Sequence, residues 1–315
     1  MISRRIIRTK VLQIMYAHVS TPEKTIKQSE QELHFSIQKT YDLYHLLFDL
    51  LITIRNYDDS RIEARKHKNL PTEEDLNPNT RFIHNRVIEM LADDKNLSKY
   101  LEKNKLSWNN YPELIKNLHH EMVNSEVYQK YITSPFDNFQ NDKRFCEEFY
   151  STILLNSQNM FTELEEQSIY WNDDLDFVAS MVIKTLKRFK PNGPLDETLL
   201  DLYKDEEDRL FTVDLFRKAI TSNEKHRKIV ETYTKNWDVE RVAVMDIIIM
   251  ELALTELLEF PSIPIKVTLN EYIELAKYYS TQRSSTFING VLDKITKDFR
   301  EEGKIQKSGR GLIEG

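Results

Sequence analysis

The run STFINGVLDKITKDF, residues 285–299, decides the fold class. Its Ile288, Val291, Leu292, Ile295 and Phe299 stand at i, i+3, i+4, i+7 and i+11, the spacing of one buried stripe on an α-helix. The residues before it read the same way. A helix is predicted from about Thr268 to Tyr279, and Pro261 and Pro264 mark the loop after a long apolar helix within residues 242–260. That apolar stretch holds Asp246, Glu251, Glu256 and Glu259, which are too costly for a span facing lipid. Gly290 sits inside the last helix, where glycine costs about 1 kcal/mol relative to alanine. Close approach of a neighbouring helix or of a ligand backbone is the expected reason, with helix packing the favoured one.

At the other end, Ser3 is a plausible N-cap for a first helix reaching about His18. Ile7, Val11, Ile14, Met15 and His18 form its buried stripe. Residues 1–22 contain no Asp or Glu, while Arg4, Arg5, Arg8 and Lys10 give +4, so the remaining chain carries −11 of the net −7. On a helical wheel Arg4, Arg5 and Arg8 share one arc beside the stripe and can face a common ligand while the stripe packs. A basic, acid-poor end also mimics a mitochondrial transit peptide, but no uninterrupted apolar run follows it as in a secretory signal. The expected location is the cytoplasm.

The middle of the chain is periodic. Phe82 and Trp108, Phe145 and Trp171, and Phe211 and Trp237 are three pairs with one identical separation, and they include every tryptophan of the chain. Each copy reads as a helical hairpin with Phe and Trp inward, against the plainer alternative of ordinary core aromatics. Prolines break the chain at residues 70–78 and at Pro135, and Pro191, Asn192, Gly193 and Pro194 form the clearest linker. The tail from Gly303, with four glycines and three basic residues, is expected to be disordered. No strand is needed, and the fold class is all-α.

Composition removes several functions. Six glycines, only Gly193 and Gly290 of them before residue 300, cannot build a Walker loop or a Rossmann fingerprint. The lone Cys146 excludes an internal disulfide and any multi-cysteine zinc site. His119, His120 and Glu121 lack the second histidine of a zinc-binding helix, so neither a metal nor a cofactor is expected. The acidic groups at Asp173, Asp174 and Asp176 and at residues 205–208 read better as helix starts or solvated faces than as a cation site. No catalytic constellation stands out.

The two ends carry specific motifs. Arg4, Arg5, Arg8, Gln13 and Tyr16 keep the spacing of the first helix of the NusB family of transcription antitermination factors, which the chain resembles. The resemblance is stronger near the C-terminus. Trp237, Arg241, Met245 and Asp246 look like the start of the family's central helix. Ile263, Pro264, Val267, Asn270, Glu271 and Glu274 to Lys277 look like its next loop and helix. The run from Phe287 to Lys294 follows its last-helix signature closely. The resemblance covers residues 1–18 and 205–299. It implies a NusB-like helical bundle with residues 1–24 as the basic first helix, 25–204 as a helical insertion, 205–302 as the rest of the core and 303–315 as the tail.

The resemblance also implies a non-enzymatic factor that binds boxA-type ribosomal RNA leader together with NusE, a small-subunit ribosomal protein, and acts in the transcription elongation complex. Carried over by position, the RNA-facing residues are Arg4, Arg5, Arg8 and the neighbourhood of Phe287, where Arg283 adds charge as a further RNA-facing candidate, and the NusE-facing residues are Tyr16 and Asp246. Phe287 also suits a core position, Tyr16 a core edge, and Asp246 a polar gap in a buried helix. Glu251 and Ile247 depart from positions that are commonly basic in the family, and Arg283 from one that is often acidic. The lost basic positions, together with the insertion's acidic groups, motivate the alternative: a protein–protein scaffold that keeps the fold and has lost RNA recognition. A third reading, an RNA methyltransferase with a NusB-like domain, lacks the glycine-rich catalytic half.

Overall fold

A computed structural model describes residues 1–191, 193, 198–235, 243–281 and 283–312, with Arg310 described by its backbone alone. Trp237 and Arg241 of the motifs above, and Asn192 and Pro194 of the linker, lie outside the described residues. The described elements are helical throughout, with no strand. None of the described helices is long and apolar enough to cross a membrane.

The chain opens with α1 (Arg4–Val19) and α2 (Ile26–Lys66). Ser3 caps α1 by accepting from the Ile6 N–H, and Ile7, Val11, Ile14 and Met15 are buried along one face, as their spacing requires. Two compact units follow from the contacts: Gln38–Leu202 with Met1, and Ile2–Ile37 with the chain from Tyr203 on. The opening turns of α2, residues 26–37, therefore belong to the unit that contains α1. Arg217 grips Glu30 through both guanidinium edges at 2.8 and 2.7 Å, and His18 Nδ1 meets Ser29 Oγ at 2.8 Å.

The first unit adds α3 (Glu73–Leu76), α4 (Arg86–Asp93), α5 (Lys95–Asn104), α6 (Pro112–Val123), α7 (Glu126–Thr133), α8 (Phe139–Glu148), α9 (Gln158–Gln167) and α10 (Leu175–Arg188). A π turn (Phe149–Ile153) and a 3-10 turn (Leu154–Asn156) extend α8. Shifted by the interval from Phe82 to Phe145, α4 and α5 fall on residues 149–156 and on α9, and α6 starts where α10 starts. The caps shift with them: Asp94 caps α5 and Ser157 caps α9. Trp108 Nε1 donates to Leu46 O and Trp171 Nε1 to Lys39 O, each at 2.7 Å, two turns apart on α2. A buried indole N–H needs a partner, and both find it on the same helix. The phenylalanines differ in setting, Phe82 in a turn and Phe145 within α8, yet their rings meet edge to face at 5.6 Å.

The second unit holds α11 (Glu206–Thr221), α12 (Asn223–Thr234), α13 (Val244–Glu259), α14 (Ile265–Tyr279) and α15 (Ser284–Glu301). The apolar α13 is its core: residues 248–257 are all buried. α14 starts three residues before the expected Thr268, because Pro264 pre-sets the backbone just before its first turn. Gly303, at φ 68°, ends α15: its N–H bonds Arg300 O at 3.1 Å while the Lys304 N–H bonds Phe299 O at 2.8 Å. Beyond it the tail, expected to be disordered, is hydrogen-bonded as far as Leu312. The Ser308 N–H donates to Pro261 O at 3.0 Å, and Gly309–Leu312 forms a 3-10 turn. Gly311 lies so close to Pro261 O that any Cβ there would stand 1.9 Å from it.

Candidate nucleic-acid interface

The basic arc of α1 is met by acids at every arginine. Arg4 donates to Glu207 and Asp208 at 2.6 and 2.8 Å, at the N-terminal turn of α11, where Asp205 is the cap. Its guanidinium lies 5.0 Å from the centre of the Phe211 ring. Arg5 forms a two-pronged pair with Glu271 of α14 at 2.9 and 2.7 Å, and 57% of its side chain stays exposed. These two can reach a ligand from the surface.

Arg8 cannot. Its side chain is 4% exposed and donates through Nε and Nη2 to Glu256, itself fully buried, at 2.7 and 2.8 Å. Thr268 and Tyr272 donate to the same carboxylate at 2.8 and 3.3 Å. Burial works against the Arg8 charge, but the Glu256 hydrogen bonds and charge hold its pKa above the ordinary value. Arg8, expected to contact RNA, is in this structure a buried cation that ties α1 to α13 and α14. Lys10 is likewise buried. Burial raises the carboxyl of Glu271, yet the Arg5 hydrogen bond and the charges of Arg8 and Arg5 leave it below the usual range.

At the start of α15, Asp246 accepts from Ser280 Oγ and from Ser284 Oγ, the latter at 2.8 Å. Asp246, expected to face NusE, is 4% exposed and pins the entry of α15 to the first turn of α13. Arg283 is exposed at the N-cap position of α15, and Phe287 is half-buried one turn later. Tyr16 is 43% exposed on α1. Gly290 differs from expectation: nothing lies within 4 Å of where its Cβ would be, so helix packing does not explain it.

Glu251 is buried beside Asn223 and Arg227, which donate to it at 2.8 and 3.0 Å. Burial outweighs that pairing and raises its carboxyl to about 7. Cys146 is fully buried, and burial pushes its thiol up, away from nucleophilic use. Among the described residues no group of three or more His, Cys, Asp or Glu is placed to hold a metal ion. The counter-ions Glu207, Asp208, Glu256 and Glu271 were not singled out as site residues from the sequence. One signal was available: an acid set among apolar residues inside an apolar helix, such as Glu256, must find a partner.

The NusB family profile matches residues 175–297, beginning at the first residue of α10. The transcription antitermination protein NusB of Salinibacter ruber is 40% identical over 147 residues, 47% of this chain and 85% of that protein. The NusB protein of Chloroherpeton thalassium is 34% identical over 114 residues, 36% of this chain and 54% of its own length. That of Koribacter versatilis is 38% identical over 100 residues, 32% of this chain and 68% of its own length. No solved structure matches the chain.

Proposed function

Because the chain belongs to the NusB family, we propose that it is a non-enzymatic, cytoplasmic transcription antitermination factor that binds boxA-type leader RNA together with NusE. The observation that carries the RNA reading is Arg5. The Arg5 end of its pair with Glu271 is exposed, so a phosphate can compete with Glu271 for the Arg5 fork. Arg4, less exposed, can do the same with Glu207. Arg8 holds the helix that presents them and makes no contact itself. Arg283 supplies a cation and Phe287 an aromatic ring at the start of α15, where unpaired bases can stack. Tyr16 is the surface residue we assign to NusE.

A second reading, a protein–protein scaffold without RNA recognition, is favoured by the carboxylates that already neutralise Arg4 and Arg5. One measurement separates the two. Affinity for boxA RNA and for a scrambled RNA is followed across a salt series, with and without NusE. The antitermination reading expects tighter boxA binding with NusE, and a salt slope that falls by about 0.7 for each of Arg4 and Arg5 replaced by alanine. Equal binding of boxA and scrambled RNA, even with NusE, sinks that reading and leaves the scaffold.

A further inference from the structure

Behind the tail, a cavity of about 280 Å³ opens between the first turn of α14, the last turn of α15 and residues 305–312. Its polar lining is cationic: Lys266 from α14, Arg300 from α15 and Lys307 from the tail, with no acidic residue among the described lining. We propose that this cavity is a phosphate-binding pocket, and that the phosphate it takes is a backbone phosphate of bound RNA. The second half of this proposal rests on the RNA reading above; the first half does not.

The tail builds the pocket. Lys307 Nζ donates to Phe260 O at 3.0 Å and reaches Glu256 O at 3.5 Å, the free carbonyl end of α13. Carbonyls orient an ammonium without neutralising it, and a third N–H is left for another acceptor. Burial lowers the Lys307 pKa to about 8, against the charge of Glu256, which raises it. Lys266 is exposed and has no ion pair among the described residues, so its charge is also available. Gly311 allows the arrangement, because only a residue without a Cβ lets the tail lie against Pro261 O.

The cavity also belongs to the unit that carries α1. Lys307 sits on the backbone carbonyl of Glu256, the residue whose carboxylate holds Arg8. Lys307 is thus linked through one residue to the helix that presents Arg4 and Arg5.

The test uses the full chain in three forms: wild type, Lys266→Ala, and Gly311→Val. The second removes one surface charge with no packing role. The third changes no charge and displaces the tail by a clash with Pro261 O. Affinities for boxA and for scrambled single-stranded RNA are measured across a salt series, and inorganic phosphate is titrated while the backbone amide signals of residues 265–267 are followed by NMR. The expected result is a salt slope about 0.7 smaller in Lys266→Ala for both RNAs alike, because a phosphate contact carries no sequence information. Gly311→Val should weaken both RNAs in the same direction. Amide shifts with inorganic phosphate that vanish in both variants, together with unchanged RNA slopes, keep the pocket and overturn RNA as its source. Unchanged slopes and no phosphate response overturn the proposal outright. Loss of boxA preference alone bears on the antitermination reading, not on the pocket.

Discussion

Two central helices are held in opposite ways. In the unit from Gln38 to Leu202, α2 is gripped by neutral groups: Trp108, Trp171 and Tyr150 each donate to one of its backbone carbonyls at 2.7 Å, and Tyr44 on α2 meets Thr185 of α10. In the other unit, α13 is gripped by charge, with Arg8 on Glu256 and Arg227 on Glu251, both acids fully buried. A neutral hydrogen bond onto a helix carbonyl can be lost with the backbone still paired along the helix. A buried ion pair cannot lose one partner without stranding a charge in low dielectric. The two regions therefore differ in how brittle they are.

The largest expected effect comes from breaking that pair. Arg8→Ala should destabilise its unit by about 3–5 kcal/mol in denaturant unfolding, whereas Arg5→Ala, at an exposed pair, should cost about 1 kcal/mol or less. Comparable losses for the two would show that Arg8 is not the buried anchor. A smaller, paired effect tests the repeat. Trp108→Phe and Trp171→Phe each keep an aromatic ring but remove the bond to α2, and each should cost about 1–3 kcal/mol. A large inequality between them would break the equivalence of the two copies. Smallest is a gain: Gly290→Ala should stabilise α15 by up to about 1 kcal/mol, since the position is helical and open. Destabilisation there would mean that the glycine serves packing after all.

Much of the fold was readable from residue spacing. The α15 stripe, the α1 stripe and the proline breaks follow from local rules. The constant Phe-to-Trp separation anticipated helices whose boundaries recur when the chain is shifted from Phe82 to Phe145. Shifted by the slightly longer interval from Phe145 to Phe211, α9 falls on α12, while Trp237 of that copy lies outside the described residues. The extent of the second unit was less readable. The opening of α2 joins it through Arg217 and Glu30, a pairing across 187 residues that no local pattern announces. The contacts of residues 303–312 were hidden for a related reason: glycine-rich composition argues for disorder, while Gly311 is the residue that permits the contact with Pro261.

The candidate site shows the same division. Sequence by itself determined that the chain is all-α, that it resembles the NusB family at both ends, and that four cations crowd its first helix, because periodicity and motif are properties of neighbouring residues. Only the tertiary structure decided which of those cations face solvent. A helical wheel places Arg4, Arg5 and Arg8 in one arc, but their fate depends on what packs against that arc from the far end of the chain. Glu256 takes Arg8 inside across 248 residues, and Glu271 leaves Arg5 at the surface. Burial and counter-charge, which set what a charged group can do, arise between segments that meet only on folding.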